Sequence, residues 1–102
     1  MAQKELLEIV KTHLNITWTD AGTDKKIELL IANGISDLDG KSGVENDYLT
    51  KGRAQTLLLN YVMYARDGIL HEFYINYKKE IVAFINKAKV TRYVKEQTNG
   101  NV

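Results

Sequence analysis

Three short stretches of this chain carry residue types that could do chemistry. Gly40-Lys41-Ser42 has the residues that end a phosphate-binding loop. Asp37 and Asp39 have the alternating spacing of calcium ligands, and His71-Glu72 starts the pattern of a zinc-binding helix. A phosphate loop works through backbone amides, a calcium loop through oxygen ligands, and a zinc helix through two histidines one turn apart. Each pattern therefore needs further residues at fixed positions.

None of the three patterns is complete. A phosphate loop has a glycine five residues before its Gly-Lys-Ser, where this chain has Ile35. A calcium loop that starts at Asp37 would need glycine at Ser42 and a bidentate glutamate at Tyr48. The second zinc histidine falls on Ile75. Because no nucleophile, base and oxyanion site can be assembled, the sequence predicts a protein that is not an enzyme and has no metal or cofactor.

The composition is that of an ordinary globular domain. The chain has 102 residues, 44% hydrophobic and 26% charged, which suits one domain with a modest core. It has no cysteine, which excludes disulfides, thiolate zinc sites and a cysteine nucleophile. No apolar run reaches the roughly 18 residues of a membrane span, and no signal peptide is expected at the N-terminus. A net charge of +1 gives no overall attraction to nucleic acid or to a membrane.

Apolar residues recur at helical spacing in four segments, at about 3–14, 23–38, 51–66 and 69–89. Thr23 or Asp24 is the expected cap of the second segment, and Thr50 that of the third. Between these two helices, residues 39–49 form a polar loop. The sequence therefore predicts an all-α, four-helix domain over residues 1–89. Residues 90–102 are predicted to be a flexible C-terminal tail, disordered alone and ordered on docking.

A few positions predict details of the packing. Gly34 lies on the apolar face of the second helix and predicts the close approach of another helix. The third helix is apolar nearly all round, so it is either central in the bundle or covered by another subunit. Ile16 and Trp18 alternate with polar residues and are expected to pack onto the core, although a lone tryptophan can also mark an interface. Gly68 suits a left-handed helix cap.

The charges follow a pattern along the chain. The central loop has four carboxylates against one lysine, a count of about −3: Asp37, Asp39, Glu45 and Asp47 with Lys41. The tail has four cations against one carboxylate, a count of about +3: Lys87, Lys89, Arg92 and Lys95 with Glu96. These segments are either simply solvated or are separated patches for head-to-tail association, which can close into rings. Arg92, Tyr93 and Val94 suit a tail that orders on binding.

The order of these elements resembles a family. An apolar first helix and Ile16 are followed by a polar break and by the second helix, which starts with Thr23–Ala32. The third helix ends in Tyr64-Ala65-Arg66-Asp67-Gly68, and the fourth carries the spaced Phe73, Tyr77 and Ile81. Over about residues 3–88 this resembles the small head–tail connector proteins of long-tailed bacteriophages, also called adaptor or head-completion proteins. One departure is the Lys25-Lys26 pair, where such proteins often carry acidic residues.

The resemblance implies a structural role in the virion neck, after assembly in the host cytoplasm. Such adaptors form a ring, usually of about twelve copies. The ring sits beneath the portal protein, extends the DNA channel without recognising sequence, and offers a docking surface to the next neck (stopper) protein or the tail. Carried onto this chain, it implies portal contacts by Arg92, Tyr93, Val94 and Lys95. It implies subunit or neck contacts by Asp39, Lys41, Glu45 and Asp47.

Two alternatives stay open. A small DNA-binding regulator with a helix-turn-helix would need a short turn before a second helix with exposed basic residues. The connection before the second helix has about eight residues, and that helix has only Lys25 and Lys26 at its start. A chaperone or scaffold-like interaction protein, which binds a partner without forming a ring, is the other alternative.

Overall fold

The computed structural model describes the backbone of residues 2–100 and the side chains of residues 4–91 and of Tyr93. Over this range the protein is all-α, with five helices joined by short connections. They are α1 (Ala2–His13), α2 (Ala21–Ser42), α3 (Arg53–Arg66), α4 (Leu70–Asn76) and α5 (Lys78–Gly100). The molecule is elongated, measuring 52 × 32 × 19 Å.

The core is built around α3, which packs against all four of the other helices. Its Leu58 and Val62 are fully buried, and Leu57 and Tyr61 nearly so. Buried residues of the other helices surround them, including Leu6, Val10, Ile27, Ile31, Leu38, Phe73, Ile81 and Phe84. Burial of apolar area on most sides explains why α3 is apolar nearly all round, with Arg53, Thr56 and Arg66 as its exposed residues. The prediction of a central third helix is confirmed.

The turn between α1 and α2 is held at both ends. Asn15 has a φ of 61°, and the N–H groups of Asn15 and Ile16 donate to the carbonyls of Thr12 and Lys11, which is a Schellman motif. Asp20 caps α2 by accepting from the Thr23 N–H at 2.9 Å, so the predicted cap at Thr23 or Asp24 is wrong by three residues or more. A short acidic side chain at that position satisfies the free amides of the first turn.

The two apolar residues of this turn have different environments. Ile16 is buried, as predicted. Trp18 is 56% exposed, so the prediction that it packs into the core is wrong. Alternation with polar residues indicated a strand-like orientation, whereas the Schellman motif at Asn15 turns the chain so that only Ile16 faces inward.

Helix α2 runs four residues further than the predicted end at Leu38. Asp39, Gly40, Lys41 and Ser42 are helical, and the left-handed Gly43 ends the helix, with its N–H donating to the Asp39 carbonyl. The Gly-Lys-Ser and Asp-x-Asp stretches therefore lie in the last turns of a helix, and the loop spans residues 43–52. Helix α3 begins after Gly52 and not after Thr50.

Gly34 lies where α2 meets α3, as predicted. A Cβ atom added there would be 2.7 Å from Leu58 Cδ1 and 2.9 Å from Tyr61 Cδ1, closer than carbon atoms can approach. The missing side chain lets the backbone of α2 lie directly against α3 side chains.

Helix α3 ends as predicted. Gly68 has a φ of 75°, and the N–H groups of Gly68 and Ile69 donate to the carbonyls of Ala65 and Tyr64, which makes a second Schellman motif.

The predicted fourth helix is two helices, which corrects the helix count from four to five. Tyr77 leaves helical geometry, with φ −108° and ψ 18°. Its ring stacks on Phe73 at 5.3 Å and meets Tyr64 edge-on at 5.9 Å, while its hydroxyl donates to Asn60 Oδ1 at 3.0 Å. A one-residue break that keeps aromatic contacts on both sides does not disturb the apolar periodicity, so the pattern did not predict it.

Helix α5 continues past residue 89, where the sequence predicted its end, up to Gly100. Its core contacts are made by its first half, through Ile81 and Phe84. We call Lys89–Gly100 the outer end of α5; its described side chains, Lys89, Val90, Thr91 and Tyr93, are all exposed. That residues 90–102 are disordered without a partner stays a prediction.

Candidate interaction surface

One concave surface is a groove between the loop 43–52 and residues 84–91 of α5. The loop wall includes Glu45, Asp47 and Lys51, and the helix wall includes Phe84, Lys87, Ala88 and Thr91. The groove has a volume of about 560 Å³, which is in the range of binding pockets. It thus places the predicted acidic loop directly opposite the start of the predicted basic tail.

The loop wall is held in shape by a polar network centred on Asp39. One oxygen of this carboxylate accepts from the Tyr48 hydroxyl at 2.6 Å and from Asn46 Nδ2 at 2.8 Å. The buried Ser42 hydroxyl lies 3.0 Å from the same amide nitrogen. Hydrogen bonds donated to a carboxylate are among the stronger hydrogen bonds of proteins. The loop is therefore fixed to the last turn of α2.

Burial raises the pKa of Tyr48, and its hydrogen bond to Asp39 raises it further. The hydroxyl thus stays protonated and remains a donor to Asp39 throughout the neutral range. On the other side of the loop, the Gln55 amide donates to the carbonyls of Tyr48 and Leu49, both at 3.2 Å. The start of α3 is tied to the loop in this way.

Two charged residues of α2 are engaged with α4. Lys41 pairs with Asp37 at 2.8 Å, and its Nζ lies 5.1 Å from the centre of the Tyr74 ring. The Tyr74 hydroxyl donates to the other Asp37 oxygen at 2.9 Å. Burial and this bond to Asp37 raise the pKa of Tyr74. Asp37 and Lys41 therefore serve to join α2 to α4.

The four candidate residues of the central loop thus divide into structural and exposed groups. Asp39 is half-buried within the network and Lys41 is paired. Asp47 is exposed, but its carboxylate closes a turn by bonding to Thr50 and to the Leu49 N–H, and these bonds lower its pKa. Glu45 is exposed on the groove wall. Of the four, Glu45 is the most available for contact with a partner.

The four candidate residues of the tail lie on the outer end of α5. Tyr93 is 62% exposed and Val90, one turn earlier, is also 62% exposed. The side chains of Arg92, Val94 and Lys95 lie outside the described residues. Two exposed apolar side chains on adjacent turns give this helix end a surface that suits a partner.

The groove brings the acidic loop next to Lys87 of the basic segment. That the two segments form separated patches for association stays a prediction. Glu45 and Asp47 share the groove with Lys51, Arg53 and Lys87, so both signs occur on its walls. The sequence places the acidic and basic segments about forty residues apart, but α2, α3 and α5 bring them together. Any attraction between copies must therefore compete with attraction inside one copy.

Metal-ligand clusters and membrane-spanning helices are absent from the part of the chain that the structure describes. There, no three His, Asp or Glu side chains come close enough together to hold a metal ion. Within the same range, no helix is both long and apolar enough to cross a membrane. The features of the groove are those of a contact surface with a mixed apolar and charged lining.

Sequence reasoning missed the parts of the surface that depend on packing. The Tyr48 and Asn46 contacts with Asp39 and the helix wall of Phe84 and Ala88 were not predicted. Polar residues in a loop give no signal of which ones bond inward.

The chain matches no protein-family model, no curated protein and no solved structure.

Proposed function

We propose that this chain is a structural adaptor of the phage head–tail connector type, which assembles as a ring between a portal protein and the next neck or tail protein. The resemblance over about residues 3–88 supports this proposal. The observation that carries it is the outer end of α5, a helix end clear of the bundle with exposed Val90 and Tyr93. A protein whose task is docking needs such a surface, because binding energy comes mainly from buried apolar and aromatic anchors.

In this proposal the outer end of α5 docks on the portal, with Tyr93 as an anchor and Arg92, Val94 and Lys95 beside it. Glu45 on the groove wall, together with Asp47, contacts the neighbouring subunit or the neck protein. Heterologous contacts of this kind close into a ring when the rotation between copies allows it. A portal already assembled in a ring would act as the template.

The test is co-sedimentation with the portal protein of the same phage. The full chain is compared with a chain truncated after Lys89 and with Tyr93→Ala; Asn86→Ala, an exposed change on the same helix, is the matched control. We expect the full chain and the control to bind, and the truncated chain and Tyr93→Ala to lose at least about tenfold in affinity, as at an interface anchor. Electron microscopy of the complex would then show the ring.

Two other outcomes of this experiment would overturn the proposal. If the full chain does not bind the portal and instead shifts duplex DNA with a steep dependence on salt, the helix-turn-helix regulator replaces the adaptor. If it binds another protein at one copy per partner without forming a ring, the chaperone or scaffold alternative replaces it.

A further inference from the structure

A second concave surface lies around the exposed Trp18 and includes Arg66, at the opposite end of α3 from the groove residue Arg53. Its lining is mostly apolar, and we call it the Trp18 cup: Leu14, Ile16, Trp18, Thr23, Lys26, Ile27, Leu30 and Arg66. The volume is about 290 Å³, just below the range of small-molecule pockets. This size suits the side chains of one or two anchor residues, not a large cofactor.

The charge at the rim of the cup is positive. Its two charged lining residues are Lys26 and Arg66, and it has no acidic lining residue. Arg66 has one long ion pair among the described residues, 3.5 Å from Nε to Asp67 Oδ1, with both side chains well exposed. The other nearby carboxylates are already engaged: Asp24 with Lys11 at 2.9 Å, and Asp20 with the first turn of α2. Lys26 has no ion pair among the described side chains.

The position of Trp18 is fixed before any partner arrives. The Schellman motif at Asn15 holds one end of the connection and the Asp20 cap holds the other, with only four residues between them. A large aromatic side chain on a short, doubly anchored connection loses little conformational freedom on binding. Tryptophan is also the residue type most enriched among interface anchors. Exposure of the chain's only tryptophan therefore indicates contact with a partner.

We infer that the Trp18 cup binds a short acidic segment of another protein, with one or two bulky apolar side chains in the cup and carboxylates facing Lys26 and Arg66. The apolar floor of the cup favours bulky apolar side chains of the partner, and the cationic rim favours a partner whose neighbouring residues are acidic. This inference does not depend on the adaptor proposal, because it uses a different surface and different residues. In a ring it would give the protein a contact distinct from that of α5.

The lone tryptophan reports on the cup directly. The probe is the acetylated, amidated peptide Glu-Glu-Leu-Phe-Glu-Glu, which contains no tryptophan, titrated into the full chain while Trp18 fluorescence is followed. One control peptide has lysine in place of each glutamate, and another has serine in place of Leu-Phe. We expect a saturable change in Trp18 emission with the first peptide only, weakening as salt is added because the rim charges are screened.

Two matched variants locate the binding. Lys26→Glu should weaken binding at least about tenfold, because it puts a like charge at the rim. Lys25→Glu makes the same charge change at the exposed neighbouring residue, which does not line the cup because it lies about 100° away around α2, and should leave the affinity within about twofold. Circular dichroism checks that each variant folds, and Lys26→Gln replaces Lys26→Glu if it does not.

Several results would overturn the inference. One is an equal response to the acidic and the lysine peptide, and another is an equal loss in Lys25→Glu and Lys26→Glu. In a third case the peptide gives no response, but Trp18 emission changes with protein concentration. That result would assign the cup to a second copy of this chain. A response to anionic lipid vesicles but not to the peptide would assign it to a membrane surface.

Discussion

Helix α3 and the outer end of α5 both lack a single apolar stripe, for opposite reasons. In α3 the apolar residues cover most of the circumference because the other four helices all contact it. In the outer end of α5 the described side chains, Lys89, Val90, Thr91 and Tyr93, are all exposed because none of them packs on another helix. A weakly amphipathic helix can thus be the most buried element of a domain or the least. Only the number of its neighbours distinguishes the two cases.

The strongest test of this contrast is a truncation in the core beside α3. Phe73 is fully buried, with the rings of Tyr61, Tyr64, Tyr74 and Tyr77 all centred within 6.0 Å of its own. Phe73→Ala should lower the free energy of unfolding by about 3–5 kcal/mol, because it leaves a cavity among rigid rings. Urea denaturation followed by circular dichroism measures this, with Val82→Ala at a half-exposed site of α5 as the control. A loss below about 1 kcal/mol would contradict the central position of α3.

The next effect concerns the polar network beneath the loop. Tyr48→Phe removes the hydroxyl that donates to Asp39 at 2.6 Å and leaves that carboxylate with one donor fewer. We expect a loss of roughly 1–3 kcal/mol in the free energy of unfolding, measured by the same denaturation. Tyr93→Phe, which removes the hydroxyl of an exposed tyrosine, should change it by less than about 0.5 kcal/mol. Equal effects of the two changes would mean that the network does not hold the loop.

Alkaline pH sharpens the same test. Because burial and Asp39 raise the pKa of Tyr48, the unfolded chain loses this proton first, above about pH 10. The folded state then binds more protons than the unfolded state, so stability falls as pH rises. The urea midpoint of Tyr48→Phe should fall less steeply over this range than that of the original chain. Parallel curves for the two proteins would rule out Tyr48 as a contributor.

A smaller pair of changes compares two glycines of α2. Gly34→Ala should cost a net of roughly 1–2 kcal/mol, because overpacking against Leu58 and Tyr61 outweighs the gain in helix propensity. Gly40→Ala meets no atom within 4 Å and should stabilise by about 0.5–1 kcal/mol. Thermal unfolding of both variants gives opposite shifts in Tm if α2 contacts α3 at Gly34 and is helical at Gly40. Shifts of the same sign would exclude that arrangement.

The smallest effect on stability belongs to the outer end of α5. Tyr93→Ala should change the free energy of unfolding by less than about 0.5 kcal/mol, because the side chain is 62% exposed and has no partner among the described residues. The same variant is the one expected to lose portal binding. A large loss of stability instead would show that Tyr93 packs within the chain. Thermal unfolding and co-sedimentation on one preparation separate the two roles.

Local signals predicted much of the fold. Periodicity located the helices to within a few residues at most ends, and Gly34 and Gly68 indicated a close contact and a left-handed cap that are both present. Helix α2 was predicted too short because Asp39, Gly40 and Ser42 are weak helix formers. Tertiary contacts of Asp39 with Tyr48 and Asn46 hold those last turns in helical form, and no local pattern encodes them.

The candidate surfaces were less predictable. The acidic loop and the basic segment were recognised by charge, but their placement on one groove depends on how α2, α3 and α5 pack. Trp18 was expected on the core because it and Ile16 alternate with polar residues, whereas a Schellman motif at a non-glycine residue turns it outward. Charge and apolar character are properties of single residues, whereas exposure is a property of the whole bundle.

The sequence by itself determined that this protein is all-α, that it has a glycine where two helices touch, and that none of its phosphate, calcium or zinc patterns is complete. These follow from residue type and short-range spacing. The tertiary structure decided that Asp39 is a structural residue, that Glu45 and Lys87 share a groove, and that Trp18 and Tyr93 are exposed. Those outcomes depend on contacts between residues far apart in the chain, because such contacts determine which side chains are buried and how much free energy their burial contributes.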